Sequence, residues 1–61
     1  MTRKDYVRIA RALLDVRPAA ANAAALDQWH QTCGALADVL ARDNPRFDYM
    51  RFIHACGVRP V

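Results

Sequence analysis

The stretch from Asn44 to Gly57 constrains this chain most. It packs a turn, a helix start, a short apolar face and a helix stop into 14 residues. Asn44-Pro45-Arg46-Phe47 has the residue preferences of a type I turn. Pro45 keeps Asn44 out of helical angles, so a preceding helix must end by about Asp43. Asp48 is a good N-cap for a new helix beginning at Tyr49. Phe47 and Phe52 have the spacing of a hydrophobic staple across that cap. Tyr49, Phe52, Ile53 and Cys56 share one helical face, and Gly57 can stop the helix in the left-handed region. A helix this short is unstable alone and must dock on earlier parts of the chain.

Two further segments are available to receive it. Thr2 can cap a first helix, with Asp5 three residues on as a short capping box, and Met1 and Tyr6 repeat the staple spacing. Tyr6, Ile9, Ala10, Leu13 and Val16 or Arg17 form an apolar stripe, while Lys4, Arg8, Arg11 and Asp15 run down the other side. Pro18 ends the helix near Val16. Asn22 is the best cap for a second, longer helix. There Leu26, Trp29, Cys33, Leu36 and Leu40 form a one-sided seam, too short for a coiled coil. Asp38 and Arg42 are spaced for a surface pair. Gly34, in mid-helix, costs about 1 kcal/mol relative to Ala, and the close approach of a neighbouring helix is the expected compensation.

The spacing therefore predicts a single all-α domain over residues 1–61, with helices near 2–16, 22–42 and 48–56. The first two form an antiparallel pair closed by the short third. A chain of this length buries only about 60% of the surface its unfolded form exposes, and 12 of its 61 residues are Ala, which adds little to a core. Self-association or a partner is a common way for such a chain to gain burial.

Composition limits the chemistry. Eight Arg and one Lys face six Asp and no Glu, for a net charge of +3. The bias toward Arg, Ala and Asp is that of a high-GC coding sequence, so the charge alone does not point to nucleic acid. There is no Ser, and the glycines are Gly34 and Gly57 alone, so neither a serine nucleophile nor a glycine-rich phosphate loop is present. Cys33 and Cys56 fall on apolar faces and read as buried free thiols. His30, Cys33, His54 and Cys56 are zinc-ligand types. His54 and Cys56, two apart on a helix, point away from each other, so neither a metal nor another cofactor is expected. Asp5, Arg8 and Arg11 break any apolar run near the start, and no run reaches membrane-spanning length. A cytoplasmic, non-enzymatic protein is the expectation.

Two functions remain. One is a protein-interaction module, favoured by the small core and by Val39 and Met50 on outward faces. The other is a nucleic-acid-binding regulator, using Lys4, Arg8 and Arg11 with Arg3 nearby and Arg46 and Arg51 around the last turn. The third helix is poor in the usual base readers, and Asp43 and Asp48 repel phosphate. Within Asn44–Gly57 the residues left without a structural task are Arg46, Met50, Arg51 and His54, and with the basic stripe of Lys4, Arg8 and Arg11 they make up the candidate surface.

At Thr2-Arg3-Lys4-Asp5-Tyr6, Trp29, Asn44-Pro45-Arg46-Phe47-Asp48, Arg51-Phe52 and Ala55-Cys56-Gly57, the chain resembles a group of small uncharacterised proteins. These occur in actinobacteriophages and high-GC bacterial genomes. The resemblance implies a small cytoplasmic helical protein, phage-encoded and acting in an infected host. It implies no catalytic or binding residue.

Overall fold

A computed structural model describes residues 2–58. Its three helices are α1 (Arg3–Asp15), α2 (Ala23–Asp43) and α3 (Tyr49–Cys56). Each begins one residue after the cap that the sequence points to. The Thr2 backbone N–H donates to the Asp5 carboxylate at 2.9 Å, and the Thr2 hydroxyl donates to the same oxygen at 3.2 Å. These bonds, the backbone one foremost, hold the Asp5 pKa below its ordinary value. Asn22 Oδ1 accepts the Ala25 N–H at 3.2 Å, and Asp48 Oδ1 accepts the Arg51 N–H at 3.0 Å. The Met1 half of the first expected staple lies outside the described residues.

Cross-links at the two ends fix the directions. Trp29 Nε1 donates to the Leu13 carbonyl at 2.9 Å, joining the end of α1 to the beginning of α2. Asn44 Nδ2 donates to the Tyr6 hydroxyl at 3.0 Å, joining the beginning of α1 to the end of α2. The two helices are therefore antiparallel. α3 packs against both and runs parallel to α1, from Phe47 beside Tyr6 to Gly57 beside Leu14. The molecule measures 35 × 17 × 16 Å, its length set by the 21 residues of α2.

The Asn44 to Gly57 stretch folds as its residues suggest. The Phe47 N–H closes the turn on the Asn44 carbonyl at 3.0 Å, and the Arg46 N–H bonds the Asn44 side chain at 3.0 Å. The staple forms, with the rings of Phe47 and Phe52 5.4 Å apart. Gly57 adopts φ 96°, its N–H bonds the His54 carbonyl at 3.0 Å, and the Val58 N–H bonds that of Ile53 at 3.3 Å. This is a Schellman stop.

The core consists of Ala10, Trp29, Cys33, Ala37, Leu40, Phe52 and Cys56. Four details correct the sequence reading. The buried stripe of α2 passes through Ala37, which is fully buried, while Leu36 is 37 % exposed on its flank. An Ala carries no hydrophobic signal strong enough to mark the place where another element comes close. Among the described residues a Cβ on Gly34 would meet nothing within 4 Å, so no described helix approaches to compensate for it. The ion pairs formed by the described residues are Arg11–Asp15 and Arg51–Asp48, and the expected Asp38–Arg42 pair is not among them. Tyr49, read as part of the apolar face of α3, sits at its edge and is exposed.

Cys33 of α2 and Cys56 of α3 meet in the middle of this core as free thiols. Burial raises both pKa values, that of Cys56 to about 12, with the adjacent Cys33 adding to the effect. Such thiols are unreactive and act as small apolar side chains.

Candidate interaction surface

The first turn of α1, the Asn44–Asp48 turn and the first turn of α3 surround an open cleft of about 360 Å³. Its walls are apolar: Tyr6, Val7 and Ala10 come from α1, Phe47 from the turn, and Phe52 and Ala55 from α3. Arg3, Arg46 and Arg51 stand around it with one carboxylate, Asp48. The rings are braced against each other. Tyr6 meets Phe47 edge-on at 4.8 Å, and Phe47 meets Phe52 at 5.4 Å. Val7, on the wall, is 59 % exposed.

A shallower depression adjoins this cleft, lined by Arg3, Lys4, Val7 and Arg8. Arg3 and Val7 are common to both, so the cations form one band from Arg51 and Arg46 through Arg3 to Lys4 and Arg8. The candidate residues from the sequence thus divide. Arg46 and Arg51 line the cleft, and Lys4 and Arg8 line the adjoining depression. Arg11 is engaged with Asp15 at 3.1 Å on an exposed face, a pair worth little to stability. Met50 and His54 are exposed on α3 but line neither concavity.

Two members of the surface carry little signal in the sequence. Arg3 and Val7 are four apart, so they share a face of α1 beside the Tyr6–Ala10–Leu13 stripe. That offset could have been read. What could not be read is that the Asn44 turn folds back onto that face.

Among the described residues, no three His, Cys, Asp or Glu side chains gather to hold a metal ion. No described helix is long and apolar enough to cross a membrane. The chain matched no family model, no curated protein and no solved structure.

Proposed function

We propose that the protein is a non-enzymatic interaction module that acts by docking on another protein. One observation carries this reading: an apolar cleft left open to solvent and ringed by arginines, in a fold with so small a core. Val7, Leu36, Val39 and Met50 add further exposed apolar surface. Covering such surface is a way for a small domain to gain the burial its own core lacks. The lack of Ser and the burial of both thiols support a role without covalent chemistry. The block resemblance to small phage proteins supports a phage origin, the host cytoplasm as location and a host protein as partner.

The test is capture of partners from host lysate with and without nuclease, then reconstitution with the purified partner. A one-to-one complex that survives nuclease is the expected result. Light scattering of the isolated protein separates this from self-association, which gives more than 6.9 kDa. The band of Lys4, Arg8, Arg3, Arg46 and Arg51 favours a second reading, a nucleic-acid-binding regulator. Capture abolished by nuclease, with DNA affinity that falls steeply with salt and weakens in Arg8→Ala, would establish that reading instead.

A further inference from the structure

We propose that the cleft between the first turns of α1 and α3 receives an acidic peptide segment of the partner protein. A large apolar side chain of that segment enters the cleft, and carboxylates beside it meet Arg3, Arg46 and Arg51. This rests on the interaction reading above and adds the surface and the partner's chemistry.

The charge balance selects the partner. Three guanidiniums and one carboxylate leave an excess of two positive charges around the opening. The carboxylate is already committed: Asp48 caps α3 through the Arg51 N–H at 3.0 Å and leans toward Arg51 Nε at 3.9 Å. Arg3 and Arg46 have no carboxylate partner among the described residues. A planar guanidinium fork matches a carboxylate in two parallel bonds, which fixes orientation as well as charge.

The floor selects a protein over a nucleic acid. Reading a base needs unspent donors and acceptors at the bottom of the site. Here the acceptors are engaged: the Tyr6 hydroxyl accepts from Asn44 Nδ2 at 3.0 Å, and Asn44 Oδ1 accepts from the Arg46 N–H at 3.0 Å, which leaves the Tyr6 O–H and one Asn44 N–H as donors. The rest of the floor is hydrocarbon, suited to a Phe or Leu side chain. At about 360 Å³ the cleft suits a side chain and its immediate neighbours, not a whole helix. The interlocked rings hold it open before binding, so little ordering is needed.

The probe is a short fluorescent peptide, blocked at both ends, with a central Phe and Glu residues three and four positions away on each side. Its anisotropy is measured at low salt. The intact peptide should bind, and the versions with Gln for Glu or Ala for Phe should bind at least roughly tenfold more weakly. In the protein, Arg3→Ala with Arg46→Ala should weaken binding roughly tenfold and Val7→Ser roughly threefold. Arg42→Ala, which removes an exposed charge that lines neither concavity, should have no effect. All these positions are exposed, and circular dichroism checks that the variants fold. Arg46→Glu paired with a peptide carrying Lys should recover affinity.

The proposal is overturned if the acidic peptide does not bind, or if the double Arg variant binds it as well as the parent does. It is also overturned if a thymidine oligonucleotide displaces the peptide at lower concentration than the unlabelled peptide does. A purified partner whose hydrogen-exchange footprint falls on Leu36 and Val39 would overturn the cleft alone and leave the interaction reading standing. Absence of any reconstituted protein complex would remove that reading itself.

Discussion

Both ends of this three-helix unit set arginines beside aromatic rings, but only one end is closed. Where α1 ends and α2 begins, the Arg17 guanidinium lies over Trp29, 5.5 Å from the ring centroid. The indole N–H there donates to the Leu13 carbonyl, which also accepts the Val16 N–H at 3.3 Å at the end of α1. Gly57 brings the end of α3 against Leu14 and Arg17. Trp29 is only 6 % exposed. At the opposite end Tyr6, Phe47 and Phe52 brace one another, yet Arg3, Arg46 and Arg51 stand around a gap that no side chain of the described residues fills. The difference shows how so small a chain divides its residues. One end is spent on stability, and the other, on the proposal above, is where a partner docks.

The contrast is broken most directly at Trp29. Trp29→Ala should cost about 3–5 kcal/mol, because it empties the closed end and removes the indole bond to the Leu13 carbonyl. A chain this long has only about 3–9 kcal/mol in total, so loss of the cooperative thermal transition is the expected outcome by circular dichroism. Trp29→Phe separates the causes: it keeps most of the volume and should cost about 1–2 kcal/mol for the lost bond. If the alanine variant unfolds no more easily than the parent, the closed end is not where stability resides.

Next comes Gly57→Ala, expected to cost about 1–3 kcal/mol in urea denaturation. At φ 96° an alanine is strained, and its Cβ would lie 2.7 Å from Leu14 Cδ1. The strain and the clash both fall on the closed end, so peptide binding at the open end should survive wherever the variant is folded.

The middle of the molecule responds to pH. The Cys56 thiol titrates from its ordinary value of 9.0 up to about 12 when folded. A raised pKa means that the protonated thiol favours folding, so this stability is whole below 9.0 and is lost as pH rises toward about 12. Urea midpoints should fall more steeply across that window in the parent than in Cys33→Ala with Cys56→Ala. Equal slopes would mean that the thiols are not buried together.

Much of this division was legible in the sequence, for a local reason. Caps, staple, turn and stop each depend on residues within about five positions, so Thr2, Asn22, Asn44, Asp48 and Gly57 announced their tasks. The buried thiols could be inferred from helical spacing. What stayed hidden depends on which surfaces meet. Ala37 takes the core position that Leu36 suggested, because the space beside α2 there suits a methyl group. Arg3 and Val7 become part of a site only when the Asn44 turn folds back onto α1.

Gly34 tests the same lesson in the opposite direction. With open space at its Cβ position, Gly34→Ala should stabilise the protein by about 0.5–1 kcal/mol through helix propensity alone. A loss in thermal or urea melts would mean that another surface approaches α2 at that point in solution.

The smallest expected effect is the sharpest test of the open end. Arg3→Ala with Arg46→Ala removes two exposed cations that pair with no carboxylate among the described residues. Such a change should move stability by less than about 0.5 kcal/mol. Arg51 is the instructive contrast, because its backbone N–H holds the Asp48 cap whatever the side chain, and its guanidinium lies 3.9 Å from Asp48. An exposed pair of that kind contributes little, so Arg51→Ala should also be nearly neutral. Arginines that stabilise the fold would lower the urea midpoint when removed. Arginines held there for a partner would leave it unchanged while peptide affinity falls, and that dissociation of stability from binding is what sets this end apart from the one built on Trp29.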